Sequence, residues 1–496
     1  MAIKSPRVFT WHVALFLLLI PLFFINIHSS HDWGDDFAQY IIQAKNIVEG
    51  IPQSQTGYIY NETYRQHAPP AYPIGFPLII APVYAVFGID YIVFNYLTTS
   101  FLVLLALTFF IFFSKRFSYP NSLLLTLILV YNPWMLNFKM EVMADIPFVF
   151  FLFLAWLMYG KSKKTWQTVL TGTIFGFAIL IKTVGIIALA ALLFDSYIKA
   201  LKTTKAENTK LKLFPAVQKP FIVSAVAIML HIILNVIVFR LPGDGLTGYI
   251  AILNLPGLPK VILEGVGFYF YAFQLFFNFE SGIMWVLPLG IHALIFCALL
   301  FGIINRRKKA HGAGDWFVMF YFVVLLLFPS HTTGFRYLLP VAAFLLIYAA
   351  EGVDAVKLNF PLQRKKLAMA LGLIVLASYV YPGIEIIGKQ NEIPDGPMSK
   401  ESVEALRYLR FHTPDSAVIA FVKPRVLPLF TGHPALSNRP GQPAKEIDSV
   451  FRLKNVKYVL IHSKLSDDSL IYYICNNTKK YEMVWNNHTF RYYKRK

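Results

Sequence analysis

The sequence predicts a polytopic α-helical membrane protein with about eleven transmembrane helices and a small C-terminal α/β extracytoplasmic domain. Three observations lead there. Of 496 residues, 56% are apolar and only 15% charged, where a soluble globular chain carries about a quarter. Mean hydropathy is +0.53, with 45 Phe. Apolar stretches of span length recur through the first 383 residues and then give way to alternating short elements. This excludes a simple soluble enzyme, a disordered chain and a disulfide scaffold. Cys297 and Cys475 lie too far apart to indicate a metal cluster or disulfide framework. The net charge of +19, in so apolar a chain, is read as an orientation signal rather than a nucleic-acid surface.

A span needs roughly 20 apolar residues. The first is 8–27, preceded by Lys4 and Arg7 and followed by no small-residue cleavage site, so it reads as a retained anchor. Others fit at 92–113, 119–136, 147–160, 167–181, 184–198, 220–239, 283–304, 315–329, 337–351 and 367–383. Lys and Arg concentrate in cytoplasmic loops. One set of loops carries 21 of them and the opposite set, before residue 384, seven. The N-terminus is therefore expected in the cytoplasm, and the C-terminal segment outside a bacterial inner (plasma) membrane. The stretch 167–198 has basic flanks on both sides, which requires two short crossings turning near Lys182. Such helices survive if protein surrounds their tips or Lys182 snorkels outward.

Two regions stand outside the spans. Residues 28–91 form a long outer loop within the membrane domain, 1–383. Residues 384–496 form the outer α/β domain: a helix near Lys400–Arg410, a strand Ala417–Phe421, a helix near Ile447–Lys454, a strand Lys457–His462, a helix near Asp467–Cys475 and a hairpin through Tyr481–Tyr493. Asn486-Asn487-His488 suits its turn.

The loop opens with His31-Asp32-Trp33-Gly34-Asp35-Asp36. Phe37, Tyr40, Ile41, Ala44, Ile47 and Val48 then recur at helical spacing up to Gly50, predicting an amphipathic helix on the membrane surface. Asp35 or Asp36 is suited to cap it. Two adjacent acids exceed what a cap needs, because like charges in contact raise one pKa or recruit a cation. A carboxylate held there is suited to act as a general base. The proline-aromatic stretch beyond, with His67 and Tyr72, reads mainly as an interfacial anchor and as a possible substrate loop.

Glu141 and Asp145 are four apart, so on a helix they share a face. Such an acidic pair wants something positive between, such as Lys139, a metal or a substrate amine; the plain alternative is a solvated loop. Lys182, between apolar segments, is a functional candidate. Arg336 lies near His331 and Tyr337, a further possible substrate loop, on the same outer side. Together Lys182 and Arg336 are suited to clamp a phosphate, the alternatives being snorkelling and anchoring. His231 and His292 read as packed or lining residues. No metalloprotease, serine-hydrolase or P-loop motif is present.

With these motifs in order, the chain resembles the GT-C class of membrane glycosyltransferases, particularly the family 39 branch of protein O-mannosyltransferases and lipid A aminoarabinose transferases. The resemblance rests on Asp35-Asp36, on Tyr72-Pro73-Ile74-Gly75-Phe76-Pro77-Leu78, on Glu141 to Asp145-Ile146-Pro147, on Gly172 to Lys182-Thr183, and on Arg336-Tyr337-Leu338-Leu339-Pro340. It covers most of the chain, and departs at Asp36, where the family often has Glu. It implies a polyprenyl-phosphate-linked sugar donor among membrane lipids and a lipid, glycan or protein acceptor. It also implies inversion at the anomeric carbon, with a first-loop Asp as base, Asp35 before Asp36. Lys182 and Arg336 would hold the leaving phosphate, and Glu141 and Asp145 would orient the acceptor or a cation. A divalent cation is possible, since some members of the family need one and others do not. A transporter or flippase of a lipid-linked substrate, and a polysaccharide ligase, are the competing classes.

Overall fold

The computed structural model describes residues 6–64, 69–207, 213–243, 257–274, 286–306, 311–327, 334–355, 361–389, 392 and 395–496. Ten helices lead the chain: α1 Pro6–Leu19, α2 Asp36–Glu49, α3 Gly75–Phe87, α4 Tyr91–Ser114, α5 Tyr119–Val130, α6 Pro133–Phe138, α7 Asp145–Lys161, α8 Thr165–Ile181, α9 Ile186–Glu207 and α10 Leu213–Ile232. The helices Leu258–Gln274, Val286–Arg306, Ala313–Leu327, Leu339–Ala355, Pro361–Ser378 and Val380–Gly388 follow. Among the described residues, five helical segments are long and apolar enough to cross a membrane: Tyr91–Ser114, Thr183–Thr204, Pro215–Val238, Arg336–Ala355 and Leu367–Gly388. Six shorter apolar helices accompany them. The chain is an integral membrane protein of helical type.

The bundle is assembled through apolar helix faces. α4 packs on α5 and α7, α7 on α8, α8 on α10, and α9 on Ala313–Leu327. Its centre is aromatic: Phe109, Phe153, Phe175, Phe317 and Phe344 are buried together. Rings meeting edge-on, as Phe109 and Phe153 do at 5.0 Å, gain about 0.5–1.5 kcal/mol beyond area burial.

α2 forms where the pattern places it, and Gly50 ends it in a left-handed conformation (φ 69°) that glycine adopts without strain. It does not lie open on a surface. Nine of its 14 residues are buried, because α3 covers one side and the C-terminal region the other. α3 departs from the expected irregular stretch. Pro77 falls in its first turn, where its missing N–H costs nothing, and Pro82 lies inside.

The C-terminal region carries helices Lys400–His412, Val426–Thr431, Ala444–Leu453 and Asp468–Cys475 with strands β1 Val418–Ala420, β2 Ala435–Leu436, β3 Val456–His462, β4 Tyr481–Asn486 and β5 Phe490–Arg495. The sheet order is β2-β1-β3-β5-β4. β1 is parallel to β2 and β3, and β5 is antiparallel to β3 and β4. β3 is central and buried along almost its whole length, as an apolar run covered on both faces should be. Asn487 builds the β4–β5 turn by accepting the Thr489 and Phe490 N–H groups on Oδ1, at 3.0 and 2.8 Å.

Candidate active site

Asp35 and Asp36 come first along the chain, at the start of α2. Asp35 occupies the N-cap position but makes no side-chain cap hydrogen bond. Its carboxylate turns instead to Arg425 of the C-terminal region. Arg425 Nε lies 2.9 Å from Oδ2, and the Arg425 backbone N–H donates to Oδ1 at 3.1 Å. The capping expectation is thereby corrected.

Asp36 sits at the junction of three elements. The Tyr72 hydroxyl donates to Oδ1 at 2.7 Å, and Arg336 Nη1 donates to Oδ2 at 3.1 Å. Arg425 Nη1 reaches Oδ1 at 3.4 Å and Tyr72 Oη at 2.8 Å. Burial alone would raise this carboxyl, but Arg336, Arg425 and the Tyr72 hydroxyl outweigh it and hold it well below the usual carboxylate range. Tyr72 is itself pushed well above its ordinary value, chiefly by burial, so it stays a donor.

The basic tip completes the site. α8 ends at Ile181, and Lys182 takes an extended conformation (φ −143°, ψ 120°) before the turn Thr183–Gly185. The expected break at Lys182 is therefore present. Gly75 packs against the backbone of Leu180 and Ile181, where a Cβ would lie 2.6–2.7 Å away. This close approach brings the tip beside the first loop. Lys182 Nζ bonds Asp145 Oδ1 at 2.6 Å. Lys182 and Arg336 both lean on the Tyr337 ring, at 5.7 and 5.4 Å. Arg336 Nε is buried and has no hydrogen-bond partner among the described residues.

Two expectations about the segment from Lys139 to Asp145 are corrected. Glu141 and Asp145 do not share a helix, because α7 begins only at Asp145. Lys139 does not sit between them. It is fully buried, with Nζ 3.2 Å from the Asn26 carbonyl oxygen, and burial lowers it to about 7. Glu141 is pushed up by burial to about 8, with Asp32 adding and Arg336 opposing. His231 hydrogen-bonds Asn235 and His292 packs on Phe270 and Phe296, as lining residues. His67 and His331 lie outside the described residues.

Residues that carry a divalent cation in a site of this kind would be acids grouped around open space. Among the described residues no three His, Cys, Asp or Glu gather to hold a metal. The Asp35 and Asp36 oxygens already face the Arg425 and Arg336 guanidinium groups, which would repel a metal ion. This donor set does not fit a metal ion.

Arg425 was not legible in the sequence. It lies two residues after Lys423 in Phe421-Val422-Lys423-Pro424-Arg425-Val426, a segment with no motif spacing, and meets α2 only through the tertiary fold. Its one signal is a basic pair, Lys423 and Arg425, between apolar residues of an α/β segment.

No family model matches the chain, and no curated protein matches it by sequence. Solved structures do match. An oligosaccharyltransferase from Archaeoglobus fulgidus, in complex with Zn and sulfate, aligns over 98% of this chain and 73% of its own, with TM-score 0.57 and 14% identity. The Archaeoglobus fulgidus oligosaccharyltransferase AglB, in complex with an inhibitory peptide and a dolichol-phosphate, aligns over 93% and 70%, with TM-score 0.55 and 13% identity. The chain has the GT-C fold. ArnT from Cupriavidus metallidurans aligns over 98% of both chains with TM-score 0.48 and 14% identity. The fold assignment rests on the two oligosaccharyltransferase structures.

Proposed function

We propose that the protein is a membrane glycosyltransferase that moves a sugar from a polyprenyl-phosphate-linked donor to a lipid, glycan or protein acceptor on the extracytoplasmic face. The observation that carries this is convergence. An acid pair from the first loop, the basic tip Lys182 and the late Arg336 meet at one place, on a fold shared with a protein solved with dolichol-phosphate.

The chemistry follows from the groups present. The acceptor O–H or N–H gives its proton to a first-loop carboxylate, and the acceptor atom attacks the anomeric carbon. The carbon–oxygen bond to the lipid phosphate breaks, and the phosphate departs with the bonding pair. Attack from the face opposite the phosphate inverts the centre. We assign the base to Asp36, with a side chain 25% exposed, rather than Asp35, with a side chain 6% exposed and both oxygens facing Arg425. Departure of the phosphate concentrates charge on its oxygens. The buried, unpartnered Nε–H of Arg336 and the ammonium of Lys182 are suited to receive it. Removing one such preorganised donor costs about 10²–10³ in kcat. Lys182 must then exchange Asp145 for phosphate, and Asp145 is released toward the acceptor. Glu141, protonated below about 8, is a neutral hydrogen-bond donor beside it.

The test is direct. The purified protein is incubated with a panel of radiolabelled polyprenyl-phosphate hexoses and pentoses and a cell-envelope extract as acceptor. Covalent transfer of label with release of polyprenyl phosphate is expected. Label crossing a proteoliposome bilayer with the donor intact would instead establish transport.

A further inference from the structure

Arg425 is among the largest fully buried side chains of the described residues. The sheet delivers it: β1 runs to Ala420, the chain turns, and Arg425 precedes the helix Val426–Thr431. Its guanidinium lies between two rings, 5.5 Å from Tyr58 and 5.0 Å from Tyr72. Nε faces Asp35 Oδ2 as an ion pair at 2.9 Å, and Nη1 donates to both Tyr72 and Asp36.

Burying an arginine with two carboxylates has a desolvation cost that pairing offsets only when the geometry is good. Adhesion of the C-terminal region does not need it. Trp33 of the loop already meets Phe421, His462 and Phe490 at 5.6–6.1 Å. The Asn61 side chain donates to the Ser437 carbonyl oxygen at 2.8 Å. Tyr58 pairs with Ala435 as an isolated β-bridge.

Hydrogen-bond direction shows what Arg425 adds. A guanidinium only donates. Arg425 Nη1 therefore makes Tyr72 Oη an acceptor, and the Tyr72 proton is committed to Asp36 Oδ1. Oδ1 thus receives two donors, Tyr72 and Arg425. Oδ2 receives Arg336 alone among the described residues. Each carboxylate oxygen offers about two lone-pair sites. Oδ2 is left as the oxygen with room for a further proton.

We infer that Arg425, carried in by the C-terminal region and held by Asp35, is a positioning residue that orients Tyr72 and Asp36 so that Oδ2 of Asp36 meets the acceptor. This rests on the transferase reading. It makes the C-terminal region part of the transfer site and gives the two acids different tasks, Asp35 anchoring and Asp36 receiving the proton.

The test compares the full-length protein with R425K, R425Q and N61A in the transfer assay. kcat and kcat/KM are measured across pH, and limited proteolysis reports whether the C-terminal region stays docked. R425Q is expected to lose about 10²-fold in kcat, within the range for losing a site donor. Its acidic limb is expected to move up by about one pH unit or more, because an opposite charge at this range shifts a carboxylate by about that much. Glu141, Asp145, Asp35, Tyr40 and Arg336 face the same carboxylate in every variant, so they do not account for a difference. R425K, which keeps the charge but loses the fork, is expected to lower kcat with a smaller shift of the limb. N61A weakens the interface without touching the acids, and its limb is expected to stay in place. If R425Q does not fold, R425K decides. An R425K variant with unaltered kcat and limb overturns the inference and leaves the transferase reading standing. So does a loss in R425Q with no movement of the limb, matched by N61A. Absence of transfer by the unaltered protein overturns the transferase reading itself.

Discussion

Asp35 and Asp36 are neighbours in sequence and differ in every contact they make. Both were legible as candidates, because two adjacent acids at a helix start exceed what a cap requires. Their different contacts were not, since these depend on Arg425, some 390 positions further along. Asp36→Asn keeps the shape and removes the proposed base. It is expected to lower kcat by at least about 10²-fold, the lower end for general-base loss, with polyprenyl-phosphate binding retained. Full activity in that variant would return the assignment to Asp35. Glu141 gives a separate, titration-based test. Its carboxyl has a folded value of about 8 against an ordinary 4.5. Between these values the folded state holds a proton that the unfolded state has released, so stability falls as pH rises through the window. Glu141→Gln removes that dependence. The melting temperature of the variant is expected to exceed that of the unaltered protein by a margin that grows from pH 5 to 8 and then levels off.

At the scale of elements, apolar periodicity located helices in each expected span, and in the C-terminal region it found β1, β3 and the β4–β5 hairpin. α3 was missed for a physical reason. A stretch with prolines at 73, 77 and 82 reads as broken, yet Pro77 falls where an N–H has no partner to lose, and tertiary packing tolerates Pro82. α3 matters because Gly75 lets it approach the end of α8. Gly75→Val is expected to push α8 away, since even a Cβ would lie 2.6 Å from the Leu180 backbone. Overpacking of this kind costs about 1–3 kcal/mol. Lys182 would shift with α8, so transfer is expected to fall more than expression. A Gly75→Val protein with unaltered kcat and melting temperature would show that the tip is positioned by something else.

At the scale of the molecule, the charge of +19 proved compatible with an acidic-basic site in which three carboxylates, Asp35, Asp36 and Asp145, are matched by Arg425, Arg336 and Lys182. With the Asp35 and Asp36 oxygens already facing guanidinium groups, transfer is expected not to need an added divalent cation. Chelator is expected to leave initial rates of transfer unchanged, and a loss restored by Mg²⁺ or Mn²⁺ would contradict the fit. The C-terminal region supplies one of the three cations. Deleting residues 390–496 is therefore expected to abolish transfer even to a minimal acceptor, provided the remaining helices stay folded by circular dichroism. Its contribution was hidden from the sequence because no periodicity or spacing links an isolated arginine to a loop in another part of the chain.

The central claim is that a first-loop carboxylate drives covalent transfer from a polyprenyl-phosphate sugar. The most direct measurement is single-turnover transfer of radiolabelled sugar by the unaltered protein and by Asp36→Asn, with the anomeric configuration of the product determined. Inverted product from the first and at least about a hundred-fold slower product from the second are expected. A retained configuration, or no covalent product while the donor crosses the bilayer, would contradict the account.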